Sequence, residues 1–245
     1  MQMSITIEER SLELWETALP HVSVDCVVFG FHINELKVLL LRMKDNDKWL
    51  LPGGFVYKNE NIDDAAHRVL QERAGTGRIY LEQFKVFGEV NRSEPYFEGF
   101  DDKLWFKQRF ISAGYYALVD YTKVTPDKDA FSAACEWQPV NALPEIGMDH
   151  SKILATALRT LRDQISYKPI GLNLLPEQFT MNELQKLYET VLGKKLNRGN
   201  FYRKIMSYGI LIKQEENRKG GAHKAAHLYK FDVEKYQQAL DESSW

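Results

Sequence analysis

The sequence predicts an α/β sandwich domain followed by a smaller α+β domain built on a helix pair and a β-hairpin. Three observations carry that prediction. Through the first 166 residues, short apolar runs of strand type alternate with amphipathic runs of helical period. A break containing two prolines and a glycine falls at 167–176. Beyond it the charge changes sign: 180–231 holds 11 Lys and Arg against 4 Asp and Glu, a net +7, whereas the rest of the chain carries 21 against 30, a net −9. Residues 1–166 are therefore read as one domain, 167–176 as a linker and 177–245 as a second domain.

At 245 residues, each part is long enough to bury a core. The opening MQMSITIEERSLELW is acidic and mixed, unlike the basic-then-apolar pattern of a signal peptide. Runs such as Cys26-Val27-Val28-Phe29 and Leu39-Leu40-Leu41 are too short to cross a bilayer. Cys26 and Cys135 lack metal spacing and imply no disulfide framework, so both are read as small buried apolar residues. A cytoplasmic protein without a membrane segment is expected.

In chain order, 22–31 and 36–43 read as strands joined by a turn at 32–35. Trp49 to Gly54 leads into a loop, followed by a helix over 62–74, with Asn59 or Asn61 at its start and Gly75 and Gly77 beyond its end. Strands follow at 81–90 and 108–118, separated by the aromatic, acidic insertion Tyr96-Phe97-Glu98-Gly99-Phe100-Asp101-Asp102. A short strand at 136–140 precedes an amphipathic helix over 149–165, whose stripe is Ile153, Leu154, Ala157, Leu158, Leu161 and Ile165.

The stretch GFVYKNENIDDAAHRVLQERAGT, residues 54–76, resembles the Nudix box, G-x5-E-x7-R-E-U-x-E-E-x-G-U with U a bulky aliphatic. Gly54, Glu60, Arg68, Leu70, Glu72 and Gly75 fall on the pattern; Val69 and Arg73 stand where it has glutamates, and Thr76 replaces the last aliphatic. Positions 69, 72 and 73 share a helical arc of about 100°. In a working Nudix enzyme, the resemblance implies, that arc is a carboxylate cluster holding Mg²⁺ against a diphosphate. Mg²⁺ takes oxygen ligands. Valine offers none, and an arginine is cationic and has no lone pair to give. Metal-assisted hydrolysis needs an activated water and neutralised phosphates, and this helix supplies neither. Glu60, Arg68 and Glu72 then read as an ion-paired scaffold, with no catalytic residue, no metal and no cofactor assigned. The alternative is a Mg²⁺-dependent hydrolase of a nucleoside diphosphate derivative with an accessory nucleic-acid-binding domain, its metal site rebuilt from Glu60, Glu72 and an acidic residue within 98–102.

In the C-terminal part, Thr180-Met181-Asn182-Glu183 has capping-box form and precedes Leu184, Leu187, Tyr188, Val191 and Leu192 at helical spacing. A second helix covers 197–207, with Phe201, Ile205 and Tyr208 inward and Arg203 farthest outward. A strand at 210–214, a basic turn at 216–224, a strand at 227–231 and a closing helix at 232–240 follow. This order defines a winged helix-turn-helix. Its second helix suits a major groove, and its hairpin tip suits phosphate or minor groove. The candidate DNA contacts are Arg198, Asn200, Tyr202, Arg203 and Lys204 on the helix, and Arg218, Lys219, His223 and Lys224 on the wing.

A degenerate Nudix box followed by a winged helix resembles the NrtR-type group of Nudix-related transcriptional regulators. The segments Pro169 to Leu172, Leu174-Leu175-Pro176, Phe179-Thr180, Leu187-Tyr188 and Asn200 to Lys204 are similar to that group's junction and helix-turn-helix, although Ala225-Ala226 stands where the group often has proline. The fold class implied is an α/β Nudix-like sandwich followed by an α+β winged helix-turn-helix. The function implied is a homodimeric repressor or activator on a palindromic operator, whose Nudix-like half senses a metabolite. That effector is ADP-ribose or a related nucleotide, or a sugar such as L-arabinose in the AraR-type branch of carbohydrate regulators, the branch this chain most resembles. Arg42, Arg68, Arg73 and Arg92 would suit a diphosphate. Trp49, Tyr57, Tyr96 and Trp105, with Glu60 and Glu72, would suit a pentose. The effector set drawn from these is Arg42, Trp49, Glu60, Arg68, Glu72, Arg92 and Tyr96.

Overall fold

The computed structural model describes residues 6–44, 47–75, 80–128, 130–218 and 226–242. They form two compact units, residues 1–30 with 37–158, and residues 31–36 with 159–245. The division after 158 precedes the expected linker at 167–176. Ile170, Leu174 and Leu175 of that segment are buried, so it is packed chain rather than a loose connector.

The first element is a helix that the sequence reading did not anticipate, α1 (Ile7–Thr17). It starts on a capping box, in which Thr6 Oγ1 accepts from the Glu9 amide at 3.2 Å and Glu9 Oε2 accepts from the Thr6 amide at 2.9 Å. Only Ser11 and Leu14 are buried on it, too thin a stripe to register as an amphipathic period. Strand β1 (Ala18–His32) and strand β2 (Glu35–Met43) form the expected hairpin, although β1 begins earlier than expected. Ile33 and Asn34 turn it with φ of 47° and 60°, positive at both central positions, as a type I′ turn requires.

The anticipated loop at 49–54 contains strand β3 (Trp49–Leu50) and leads into β4 (Gly53–Tyr57). Then come α2 (Ile62–Ala74), β5 (Tyr80–Phe87), β6 (Ile111–Val119), β7 (Ser132–Pro139) and α3 (His150–Gln164). The sheet runs β3-β2-β1-β6-β5, with β4 also on β1 and β7 also on β2. β1 and β6 are parallel, Val22 to Gly30 opposite Ile111 to Val119, while β4, β7 and β5 pair antiparallel.

Alternation along β1 decides what lies on each face. Val24, Cys26 and Val28 face α2, whose Ala65, Ala66, Val69, Leu70 and Ala74 pack there with Ala113, Tyr115 and Ala117 of β6. Burying Val69 and Leu70, each 1% exposed, contributes about 1.5–3 kcal/mol apiece. α2 stops at Gly75, whose φ of 61° is the left-handed value a helix C-cap favours. Asp25 points to the opposite face. A second core gathers Leu14, Ala18, Trp105 and Phe110. Trp105, expected as a wall for a sugar ring, is fully buried core instead. Cys26 is buried as expected, whereas Cys135 is only half-buried.

The second unit holds β8 (Phe179–Thr180), α4 (Met181–Leu192), α5 (Arg198–Ser207), β9 (Leu211–Arg218), β10 (Ala226–Phe231) and α6 (Val233–Glu242), with sheet order β8-β10-β9. The Thr180/Glu183 capping box is present, and Gly193 ends α4 at φ 66°. Leu184, Leu187, Val191, Phe201 and Ile205 of the helix pair are buried, as are Phe179 and Phe231 of the sheet, whose rings meet at 4.8 Å between centroids. No helix among the described residues is long and apolar enough to cross a membrane.

Candidate effector cavity and nucleic-acid face

A cavity of about 480 Å³ opens in the first unit beside α2. Val69, Glu72 and Arg73 all line it, so the arc predicted from helical spacing does face one space. Of the expected effector set, Arg68, Glu72, Arg92 and Tyr96 line it, and Arg42, Trp49 and Glu60 do not. Arg42 fails through strand alternation: Leu41 and Met43 face the cavity, and Arg42 is exposed on the other side of β2. Trp49 is likewise displaced by its neighbours Leu50 and Leu51, which take the lining positions.

Glu60 sits beneath the wall, held by α2. Arg68 donates to it from Nε at 3.0 Å and from Nη2 at 2.7 Å, and the Tyr57 amide donates at 2.8 Å. The hydrogen bonds from Arg68 hold the Glu60 carboxyl below the usual range, against the opposing effect of burial. Arg68 Nη2 also donates to the Phe55 carbonyl at 2.9 Å, and its guanidinium lies 4.1 Å from the Tyr57 ring centroid. The ion pair expected between Glu60 and Arg68 is present. Glu72 offers the only carboxylate of the arc. It stands 3.5 Å from Arg68 Nη1 and 4.0 Å from Arg73 Nη2, flanked by cations.

The opposite wall carries a buried polar network that sequence reading missed. Asp25 Oδ2 accepts from Arg92 Nη2 at 2.9 Å and from Ser112 Oγ at 2.6 Å. Arg92 also donates twice to Asp149, each at 2.9 Å, and is 3% exposed. Its charge, expected to serve an effector, is therefore offset by two carboxylates. His150 Nδ1 accepts from the Leu51 amide at 2.9 Å, so the neutral ring carries its proton on Nε2, which lies 3.4 Å from Asp25 Oδ1. Burial pushes the His150 pKa down and keeps the ring neutral, with Asp25 opposing that shift. A signal for this network did exist in the sequence: a lone aspartate inside the apolar run Val22 to Phe31 requires a buried partner.

Among the cavity's charged lining residues, Arg10 of α1 joins Arg68, Arg73 and Arg92, against the carboxylates Asp25 and Glu72. Phe55, Tyr57, Tyr96, Phe97, Phe106 and Phe131 supply aromatic surface. Such a space suits an anionic ligand with a flat ring system.

On α5, Arg198, Asn200, Tyr202, Arg203 and Lys204 are all exposed, as a groove-facing helix requires. Asn197 caps the helix by accepting from the Asn200 amide at 3.0 Å, and Asn200 Oδ1 accepts from Arg203 Nη2 at 2.6 Å. Lys204 Nζ donates to the Ser166 carbonyl. Arg218 ends β9 opposite Ala226. Lys219, His223 and Lys224 lie outside the described residues.

A family model described as the NUDIX domain matches residues 19–159, and one described as the NrtR DNA-binding winged helix domain matches 171–231. Fold and site together define a Nudix-domain transcriptional regulator. The chain is 29% identical over 224 residues to the ADPR responsive transcriptional repressor NtrR of Acinetobacter baylyi, covering 89% of this chain and 84% of that protein. The chain belongs to the NrtR-type family of Nudix-related transcriptional regulators. The crystal structure of Shewanella oneidensis NrtR complexed with a 27mer DNA is similar at a TM-score of 0.71 and 26% identity, covering 88% of this chain and 95% of that one. An ADP-ribose pyrophosphatase of Methanocaldococcus jannaschii is 27% identical over 157 residues, covering 62% of this chain and 82% of that protein.

Proposed function

We propose that this protein is a cytoplasmic repressor whose winged helix binds operator DNA and whose Nudix cavity binds an ADP-ribose-like nucleoside diphosphate without hydrolysing it. The observation that carries the reading is the lining of the cavity: four arginines against two carboxylates, beside an aromatic wall. A diphosphate is matched by guanidinium forks and a base by ring faces. A diphosphate can share these guanidinium groups with the carboxylates already beside them, whereas a neutral pentose brings no charge to them. The names of the A. baylyi relative and of the DNA-bound S. oneidensis structure support the same assignment.

Val69 and Arg73 account for the absence of turnover. They place an apolar side chain and a cation where the box would bring two carboxylates, leaving Glu72 alone to meet a divalent ion. Effector binding then acts by population. A nucleotide that binds better to the form unable to hold DNA lowers operator occupancy in proportion to that difference in affinity. The protein acts as a homodimer, each copy presenting one α5 to a half-site of a palindromic operator.

The test is a gel shift with the upstream region of the gene, titrated with ADP-ribose and with L-arabinose. A specific complex released by ADP-ribose and untouched by L-arabinose is the expected result. Release by L-arabinose alone would assign the cavity to sugars. Brisk Mg²⁺-dependent cleavage of ADP-ribose, abolished by Glu72→Gln, would assign the domain to the hydrolases.

A further inference from the structure

The matched Nudix segment begins at residue 19, yet the cavity is also lined by Ile7 and Arg10 of α1, which precedes it. That helix is fixed in place. Ser11 Oγ accepts from the Trp105 amide at 2.8 Å, the Lys58 amide donates to the Thr17 carbonyl at 2.9 Å, and Leu14 is fully buried in the second core. Arg10 is therefore carried by a rigid support, as a ligand-reading side chain needs to be.

Arg10 and Arg68 meet on one tyrosine. Arg10 Nη2 donates to Tyr57 Oη at 3.2 Å, while the Arg68 guanidinium lies over the face of the same ring at 4.1 Å from its centroid. Their counter-charges differ. Arg68 is committed to Glu60 by two hydrogen bonds in a half-buried setting. Arg10 has Glu13 at 2.7 Å, but that partner is 48% exposed and lies outside the cavity, so the pair is a weak competitor for a ligand anion.

We infer that Arg10 is a specificity residue of the cavity, gripping the second phosphoryl group of a diphosphate across Tyr57 from Arg68. This rests on the nucleotide reading given above and adds the source of its selectivity. Each planar guanidinium fork matches one phosphoryl oxygen pair. Arg68 has its Nε and Nη2 on Glu60 and offers a ligand only Nη1, 3.5 Å from Glu72, whereas Arg10 is held by the phenol and by exposed Glu13 alone, so a diphosphate engages both cations, a monophosphate one and a nucleoside neither.

The experiment is isothermal titration of the full-length protein with ADP-ribose, AMP and adenosine. Arg10→Ala should weaken ADP-ribose by about 10- to 100-fold, the scale of one charge-assisted contact, while leaving adenosine unchanged. The preference for ADP-ribose over AMP should collapse with it. Tyr57→Phe keeps the ring under Arg68 and removes only the hydroxyl that positions Arg10. It should produce a smaller loss confined to ADP-ribose, and it decides the matter if Arg10→Ala fails to fold. Unchanged ADP-ribose affinity in both variants, or an equal proportional loss for ADP-ribose and adenosine, would overturn the assignment. Wild-type protein that ignores ADP-ribose altogether would instead refute the nucleotide reading, and this inference with it.

Discussion

Arg68 grips Glu60 with two hydrogen bonds, 3.0 Å from Nε and 2.7 Å from Nη2, and this pair holds the loop before α2 onto the helix. Glu60 titrates below its unfolded value, so it contributes stability that is present above about pH 4.3 and is lost as pH falls through the folded value. Arg68→Ala should cost about 2 kcal/mol at neutral pH, by leaving a half-buried carboxylate short of donors. It should also flatten the acid limb of stability below about pH 4.3. Urea unfolding of both proteins across pH 3 to 7 checks this; parallel curves would remove the pair from the account.

His150 works in a different window. Its folded pKa lies below the unfolded value of about 6.5, so the neutral ring contributes stability above that pH, and the contribution is lost as pH falls from about 6.5 toward the folded value. His150→Gln should shrink the difference in stability between pH 7.5 and 5.5. Chemical denaturation at those two values reads it directly.

Gly53 is confined by the polar network. A Cβ there would sit 2.8 Å from Asp25 Oδ1 and 3.1 Å from the Val24 carbonyl oxygen, and the backbone atom has nowhere to go. Gly53→Ala should destabilise the protein by about 1–3 kcal/mol, with a lower thermal midpoint. A midpoint equal to wild type would show that Asp25 has room to shift.

Arg203 is the outermost candidate reader on α5. Arg203→Ala should reduce operator affinity by about 1–3 kcal/mol and relax discrimination between operator variants. Should it only lower the salt dependence by about one unit, without changing specificity, Arg203 would be a phosphate contact. Fluorescence anisotropy at several salt concentrations separates the two.

The legible parts of this chain were those fixed by neighbouring residues. Helix α2 is found where Gly75 and the apolar positions placed it, and α4 begins at the capping box read from Thr180 and Glu183. Helix α1 escaped notice because Leu14 alone among its large side chains is fully buried, which leaves no period to see. The two-residue strands β3 and β8 are too short to alternate. In the site, residues brought together by the box were foreseeable, since helical spacing puts 69, 72 and 73 on one arc. That Asp25 needs a buried partner was readable, but Arg92 and Ser112 as its partners, and the Leu51 amide as that of His150, were not, because these pairs lie 67 to 99 positions apart and only the fold makes them neighbours.

Leu14 and Ala18 fill the core around Trp105 and Phe110 from the segment before residue 19, where the recognisable Nudix similarity starts. A fragment trimmed to the similarity boundary would bare an indole to water and unroof one side of the cavity. Biochemists who cut this protein by homology alone would be assaying a damaged pocket and attributing its poor affinity to the wrong ligand.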